Sequence, residues 1–252
     1  MDSRTTILIA MLALAVGTTA QAAEIRVLLS GAIRAAMMDI KPLFEQATEH
    51  KLIINSDTSG RITKRIADGE ETDLLIVSSG GIEDLIKQGK IAAGSKAEIA
   101  RSGLGAVVRT GTPKPDISTP EKFKDALLAA QTVAYTNPAS GGASGVYFAK
   151  MLEQLGITDA VNKKARLGDG GPIAQIVARG DAELGLQQIP ELLAYPGVDY
   201  VGPLPGPLQF YTRLAAGIPV SNTQTDAAQA LLKFLASPPA ASVMHAKGLE
   251  PG

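Results

Sequence analysis

The sequence predicts an α/β fold with a parallel or mixed sheet covered by helices on both faces. Two observations carry this prediction: short apolar runs of strand length alternate with helical stretches, and small polar loops directly follow the strands. The length of 252 residues allows one large domain or two smaller ones. Apolar residues make up 45% and charged residues 19%, which indicates a folded core rather than a disordered chain.

The composition excludes several classes of site. Lys and Arg number 24 against 25 Asp and Glu, so the net charge of −1 gives no field that gathers nucleic acid or anionic membrane. The absence of cysteine excludes disulfides, thiolate metal sites and a cysteine nucleophile. His50 and His245 are far apart in sequence, which disfavours a histidine metal site or a histidine triad. We expect neither a metal nor a cofactor.

Residues 1–22 have the features of a secretory signal peptide. A single arginine precedes an unbroken apolar run over 7–16, which is too short for a stable membrane span. Ala20 and Ala22 supply the small residues that signal peptidase requires, so we expect cleavage after Ala22. No cysteine follows this site, which excludes a bacterial lipid anchor. The mature chain is therefore predicted to be periplasmic.

The first part of the mature chain alternates between strands and helices. Ile33, Met37, Ile40 and Phe44 form one apolar stripe, which predicts an amphipathic first helix. The expected elements, in chain order, are a strand at 24–30, a helix at 33–48, a strand at 51–55, a helix at 61–68, a strand at 73–77 and a helix at 82–88.

The second part repeats the alternation after a distinct apolar stretch at 102–109. Residues 110–120 are a Pro-rich loop, and residues 201–207, rich in Pro and Gly, predict an irregular connection. The expected strands are 133–136, 165–167, 181–188, which leads into the segment 189–194, and 209–216. The expected helices are 121–130, 146–155, 172–179, 225–236 and 240–246.

Small polar loops recur where a predicted strand ends and a helix begins. Helix N-termini present unpaired N–H donors, glycine lets a ligand approach the backbone, and hydroxyls cap the helix or donate to a ligand. In an open α/β sheet such loops lie together at the carboxyl ends of the strands, where ligands bind. These loops therefore predict an anion-binding cleft, although each one alone is also typical of an ordinary helix cap. They are Ser30-Gly31-Ala32, Thr58-Ser59-Gly60, the segment Ser140 to Gly145 and Asp169-Gly170-Gly171.

Several stretches together resemble periplasmic molybdate-binding proteins. They are the leader, residues 26–40, DTSGRITKRIADGEETDLLIVSS, NPASGGASGVYFAK and VARGDAELGLQQ, and the resemblance covers essentially the whole mature chain. It implies the two-lobe fold of type II periplasmic binding proteins, with a ligand cleft between the lobes. It further implies that residues 23–105 and 212–252 form lobe 1 and that residues 106–211 form lobe 2. The chain would cross between the lobes near Gly105 and again near residues 211–214.

The resemblance also implies ligand contacts, and this chain departs from two of them. The family's first serine falls at Ala32, two residues after Ser30, and its late tyrosine falls at Gln188. The second serine falls in Thr58-Ser59 and is kept. Losing two of three side-chain contacts disfavours molybdate and tungstate as ligands.

Backbone donors are implied in the third and fourth loops, and arginine suggests a replacement ligand. The amide donors fall at Ala143 or Ser144 and at Gly170. Arg61 directly follows the second loop, and its planar guanidinium suits a carboxylate. Arg34, in the first turn after Ala32, is a weaker candidate. The expected ligand-binding residues are Ser30, Gly31, Ala32, Thr58, Ser59, Arg61, Ser140, Ala143, Ser144, Asp169, Gly170 and Gln188.

Two functions remain open on this scaffold. A solute-binding protein would close its lobes around a small organic anion, such as a di- or tricarboxylate, and deliver it to an ABC importer permease. Bacterial aconitate isomerases are similar to the same group and interconvert cis- and trans-aconitate by an allylic proton shift, which needs a proton-transfer group and oxyanion donors. The proton-transfer candidates are Asp57, Asp169, Ser59 and Ser144. The scarcity of histidine and cysteine favours binding over catalysis.

Overall fold

Two mixed β-sheets organise residues 22–252, the part of the chain that the computed structural model describes. The strands are β1 Glu24–Ser30, β2 Lys51–Asp57, β3 Leu74–Ser78, β4 Ala97–Ser102, β5 Leu104–Arg109, β6 Val133–Thr136, β7 Ala165–Gly168, β8 Leu184–Gln188, β9 Val198–Pro203, β10 Thr212–Gly217 and β11 Leu249–Pro251. A six-stranded sheet has the order β11-β4-β10-β3-β1-β2, and a five-stranded sheet has the order β7-β6-β8-β5-β9. The predicted α/β class with two lobes is confirmed.

Helices follow most of the strands and cover both sheets. They are α1 Gly31–Thr48, α2 Ser59–Ala67, α3 Ser79–Lys87, α4 Pro120–Ala129, α5 Ala143–Gln154, α6 Thr158–Asn162, α7 Ile173–Ala178, α8 Ile189–Leu193, α9 Thr225–Leu235 and α10 Pro238–Ala246. The stripe predicted on the first helix is confirmed, since Ile33, Met37, Ile40 and Phe44 are all 0% exposed. Burying a side chain of this kind contributes about 1.5–3 kcal/mol, so this stripe fixes α1 against the first sheet.

The strand directions bring the polar loops to one edge of each sheet. β1 is parallel to both β2 and β3, while β10 runs antiparallel to β3 and β4. In the other sheet β6 is parallel to β7 and β8, while β5 runs antiparallel to β8 and β9. The loops singled out in the sequence therefore all follow the carboxyl ends of mutually parallel strands, as the open α/β arrangement predicts.

The chain passes from one sheet to the other at two neighbouring points. β4 ends at Ser102 and β5 begins at Leu104, so Gly103 makes the first connection, and the predicted crossing residue Gly105 already lies inside β5. The second connection includes Gln209, whose Oε1 accepts the Leu104 N–H at 2.8 Å and whose Nε2 donates to the Leu104 carbonyl at 3.0 Å. One side chain thus joins both crossings. The precise lobe limits, 105/106 and 211/212, stay a prediction.

Some elements differ from the sequence prediction. Residues 201–203 are not irregular, because they form the end of β9, which pairs with β5. The pairing includes a shift in register, and the Pro- and Gly-rich sequence gives no sign of this strand. The strands β4 and β11 were not predicted; β4 alternates exposed with less exposed residues but shows no regular polar and apolar alternation in its sequence, and the three-residue β11 gains its partners only by pairing with it. The short helix α6 was also not predicted.

Three helices of the first lobe begin earlier than predicted because hydroxyls cap them. The side-chain oxygens of Ser30, Thr58 and Ser78 accept backbone N–H groups at 3.4, 3.3 and 3.4 Å, which allows α1, α2 and α3 to start directly after the strands. α5 begins at Ala143, three residues before the predicted start, after a single 3-10 turn at Pro138–Ser140.

The N-terminal prediction falls largely outside the structure. Residues 1–21 are not among the described residues, so the signal peptide stays a prediction. Within residues 22–252, no helix combines the length and the apolarity needed to cross a membrane.

Candidate functional site

A narrow cleft between the two lobes collects the loop residues. Its free volume is about 40 Å³, room for a few water molecules. Hydroxyl, amide and backbone groups form most of its wall, and among the described residues the only ionisable side chains that line it are those of Asp57 and Glu191. The lining residues are Ser30, Gly31, Ser56, Asp57, Thr58, Ser59 and Thr212 from the first sheet and its helices, with Thr136, Gly142, Ala143, Ser144, Gly170, Gln187, Gln188 and Glu191 from the second.

Most residues predicted as ligand contacts line this cleft, and four do not. Those that line it are Ser30, Gly31, Thr58, Ser59, Ala143, Ser144, Gly170 and Gln188. Ala32 is buried in the core of the first lobe, and the Ser140, Asp169 and Arg61 side chains make contacts outside the cavity wall. Contact with a ligand stays a prediction for all twelve residues, whose positions relative to the cleft are known.

Two serines of the first lobe keep a donor free. Ser30 Oγ accepts the Ala32 N–H at 3.4 Å, and Ser59 Oγ accepts the Ser78 N–H at 3.2 Å. A hydroxyl that accepts one bond still has its own hydrogen to donate. Both hydroxyls are therefore held in place by the backbone and can donate to an acceptor in the cleft.

The second lobe contributes a helix N-terminus without a side-chain cap. Gly142 is the N-cap of the twelve-residue helix α5 and offers no oxygen to the first-turn N–H groups. Those N–H groups, at Ala143 and Ser144, are the donors that an anion accepts at a helix N-terminus. Ser144 Oγ lies 3.3 Å from Thr136 Oγ1, which orients a second hydroxyl pair beside them.

The lobes touch directly across the mouth of the cleft. Thr58 Oγ1 donates to the Ser140 carbonyl at 2.5 Å, and the Gly60 N–H donates to the Gly141 carbonyl at 3.1 Å. A Cβ added at Gly60 would lie 2.7 Å from the Gly141 Cα, closer than real side chains approach. The structure is therefore a closed form whose closure depends on glycine at this contact.

Arg61 lies at the rim of this contact. Its Nη1 donates to the Asp169 carbonyl at 2.6 Å, across the two lobes, and stands 3.6 Å from Asp57 Oδ1. Arg65 approaches the same Asp57 carboxylate at 3.8 Å, and Asn137 Nδ2 donates to Asp169 Oδ1 at 2.8 Å. In this closed form the guanidinium of Arg61 therefore contacts protein groups, and the Asp57 carboxylate faces the two cations Arg61 and Arg65.

Glu191 brings a carboxyl group into the cleft. Its Oε1 accepts a hydrogen bond from Gln187 Nε2 at 3.0 Å. Removal from water raises the pKa of Glu191 from 4.5 to about 8. Some of its surface remains accessible because the side chain borders the cleft, while protein surrounds the carboxyl elsewhere. A carboxyl with this pKa holds its proton at neutral pH and becomes a stronger base than an ordinary carboxylate when it loses it.

Gln188 occupies the position that the resemblance gives to a tyrosine. Its Nε2 donates to Thr212 Oγ1 at 2.7 Å, while its buried Oε1 bonds to none of the described residues. Because the Thr212 hydroxyl can donate as well as accept, the amide is free to turn over and present its NH₂ group to an acceptor. Gln188 can therefore accept a hydrogen bond from a ligand donor through its oxygen, or donate one to a ligand acceptor through its NH₂ group.

Sequence reasoning missed Glu191, Gln187, Ser56, Thr136 and Thr212. A single acid in the five-residue helix α8 forms no pattern, and its carboxyl reaches the cleft only because α8 packs against α1 of the other lobe. The one available signal was its place, three residues after the end of β8, where Gln188 had already been assigned to the site. Among the described residues, no cluster of His, Asp or Glu is arranged to hold a metal ion.

Comparison with known proteins agrees with this architecture. The chain is 39% identical over 232 residues to the aconitate isomerase of a Pseudomonas species, covering 89% of this chain and 87% of that protein. It is 31% identical over 237 residues to a molybdate-binding protein of Azotobacter vinelandii, covering 91% and 90%. Among solved structures, the periplasmic molybdate-binding protein of Azotobacter vinelandii superposes with a TM-score of 0.75 at 18% identity, covering 90% of this chain and 99% of that chain.

The family assignment follows from the extent of these matches. The sequence profile of bacterial extracellular solute-binding proteins matches residues 25–250, which is nearly all of the described chain. The resemblance to molybdate-binding proteins and aconitate isomerase is confirmed by relatives that cover about nine-tenths of the chain. The chain therefore belongs to the bacterial extracellular solute-binding protein family.

Proposed function

We propose that this protein binds a small polycarboxylate in the cleft between its lobes and interconverts cis- and trans-aconitate there. The observation that carries the proposal is the carboxyl of Glu191, which lines the closed cleft and has its pKa raised to about 8. The relative named aconitate isomerase, 39% identical over 89% of this chain, supports the same chemistry. Glu191 takes the proton-transfer role for which the sequence offered Asp57, Asp169, Ser59 and Ser144.

Anion binding is supported by hydrogen-bond donors in the cleft wall that remain free to bind a ligand. The hydroxyl hydrogens of Ser30 and Ser59 and the first-turn N–H groups of α5 line it from opposite lobes. Carboxylates accept such bonds from several directions, and the helix N-terminus adds a partial positive charge. With no described Lys, Arg or His lining the wall, recognition would depend on neutral donors, which orient a polycarboxylate without forming a fixed ion pair.

The proposed reaction moves one proton along a three-carbon unit. The Glu191 carboxylate removes a proton from the methylene carbon of aconitate, and the electron pair spreads over the conjugated carboxylates as a dienolate. Hydrogen-bond donors in the cleft stabilise that charge. The same carboxyl then returns the proton to the other end of the allylic unit, so atoms and charge balance and the double bond has moved. Exclusion of water by the closed lobes protects the carbanion from protonation by solvent.

Conversion of trans-aconitate tests the proposal directly. We expect the purified mature chain to form cis-aconitate, followed by proton NMR, and to retain most of the migrating hydrogen in deuterated buffer, because one carboxyl carries it within a cleft that excludes water. Glu191→Gln keeps the shape and the acceptor for Gln187 but cannot transfer a proton, so kcat should fall about 100-fold or more. Glu153→Gln, at an exposed position on α5, is the matched control and should leave kcat unchanged.

Absence of conversion, with tight binding of the same acid in calorimetry, would instead favour a second function. In that case the chain would capture a polycarboxylate and deliver it to an ABC importer permease, as its membership of the solute-binding family and its direct lobe-to-lobe contacts support. Both functions fit a periplasmic location after cleavage at Ala22, which mass spectrometry of the secreted chain tests. Both also use the proposed lobes, 23–105 with 212–252 and 106–211.

A further inference from the structure

The side-chain amide of Gln187, near the end of β8, has hydrogen-bond partners for both its oxygen and its nitrogen. It is 3% exposed, and its Oε1 accepts the Ile173 N–H at 2.8 Å. Its Nε2 donates to Glu191 Oε1 at 3.0 Å and lies 3.4 Å from the Gly171 carbonyl. A backbone N–H can only donate and a backbone carbonyl can only accept, so the Gln187 amide has one orientation that satisfies all its neighbours.

We infer that Gln187 is a positioning residue that keeps Glu191 Oε1 as a hydrogen-bond acceptor and so leaves Oε2 as the oxygen that exchanges the proton with substrate. The Gln187 N–H faces Oε1 at 3.0 Å, and because the carbonyl oxygen of a neutral carboxyl is a better acceptor than its hydroxyl oxygen, this bond favours placing the proton on Oε2. Oε2 has no hydrogen-bond partner among the described residues. The inference rests on the proposed isomerase function, in which the proton passes from the substrate methylene to Oε2 and back to the other allylic carbon.

Steric contact on the other lobe holds the same oxygen. A Cβ added at Gly31 would lie 2.5 Å from Glu191 Oε1, so the carboxyl rests directly on the glycine that starts α1. Oε1 is thus confined between Gln187 and Gly31. This confinement gives the acid a fixed direction, which a proton shift between two defined carbons requires.

No charged group competes with Gln187 for Glu191 in the described part of the chain. The titratable groups on the elements packed against α8 are Arg34, Asp39, Lys41 and Glu45 on α1, Arg109 on β5, and Asp199 and Tyr200 on β9. Asp39 pairs with Lys247, Lys41 pairs with Glu45, and Asp199 bonds to Thr110. Asp57, the other carboxylate of the cleft wall, faces Arg61 and Arg65. Gln187 is therefore the polar contact that sets the bonding of Glu191.

Gln187→Met tests the inference because it keeps the length of the side chain and removes the donor. Losing a hydrogen bond to the charged form should raise the pKa of Glu191 by about one to two pH units. We expect the acidic limb of kcat/KM for trans-aconitate to move up by the same interval. The pKa is measured without turnover by NMR of protein labelled with ¹³C at the glutamate carboxyl, the Glu191 signal being assigned by its loss in Glu191→Gln.

The control is Gln175→Met, on the neighbouring helix α7 and outside the cleft wall, which should move neither the NMR titration nor the kinetic limb. A folded Gln187→Met variant with both unmoved overturns the inference. If Gln187→Met shifts the NMR titration but the wild type converts no aconitate, the Gln187–Glu191 hydrogen bond is supported and the isomerase proposal is wrong. Should Gln187→Met fail to fold, Gln187→Glu keeps an acceptor for Ile173 and should raise the pKa through a shared proton.

Discussion

Replacing Glu191 by glutamine removes a titratable group from the cleft and keeps its shape and its bond to Gln187. The raised pKa of Glu191, from 4.5 to about 8, corresponds to about 5 kcal/mol against the charged form, at about 1.4 kcal/mol per pH unit. Because the carboxyl borders a cleft that admits water, solvent screening reduces the expected effect to roughly 2–3 kcal/mol.

The sign of the effect follows from which state binds the proton. Below about pH 4.5 the carboxyl is neutral in both the folded and unfolded chain, and Glu191→Gln should match the wild type. Between about pH 4.5 and pH 8 the unfolded chain releases the proton while the folded chain retains it. The free energy of unfolding of the wild type therefore falls with pH across this window relative to Glu191→Gln, and the variant is the more stable protein above it.

Urea unfolding of both proteins, followed by circular dichroism at several pH values without ligand, measures this difference directly. Exposed Glu153→Gln controls for general charge effects and should track the wild type at every pH. Parallel curves for Glu191→Gln and the wild type across the window would refute the desolvation of Glu191. The acid–base role proposed for it would then lose its physical basis.

Two further predictions concern closure of the lobes. Gly60→Ala places a Cβ 2.7 Å from the Gly141 Cα, so ligand affinity should fall about 10- to 100-fold through overpacking of about 1–3 kcal/mol in the closed form, and small-angle scattering should show a larger radius of gyration. Gly80→Ala, with no atom within 4 Å of its Cβ, is the control at the same helix position and should leave affinity unchanged. Arg61→Lys removes one bond to the Asp169 carbonyl and should weaken tricarboxylate and molybdate binding equally, by about 0.5–1.5 kcal/mol in calorimetry. A loss confined to the carboxylate would restore Arg61 as a ligand contact.

The sequence was most informative where one segment determines its own structure. The apolar stripe of α1 and the polar loops at the strand ends depend on local periodicity and capping, and both are present in the structure. β11 and the cleft position of Glu191 depend instead on partners far along the chain. Arg61 shows the same limit, since its sequence position suggests a free guanidinium, while the folded chain gives it Asp169 as a partner.

The position of Glu191 relates its acid strength to closure of the lobes. Gly31 begins α1 in the first lobe, and Glu191 belongs to α8 in the second, yet a Cβ on the glycine would meet the Glu191 carboxyl at 2.5 Å. The desolvation that raises the pKa of Glu191 is therefore supplied in part by the opposite lobe. Opening the cleft hydrates the carboxyl and returns its pKa toward the ordinary value, whereas closing over a ligand restores its basicity beside the bound carbon. A solute-binding scaffold thus needs only one carboxyl, placed where its lobes meet, to confine proton transfer to the closed complex.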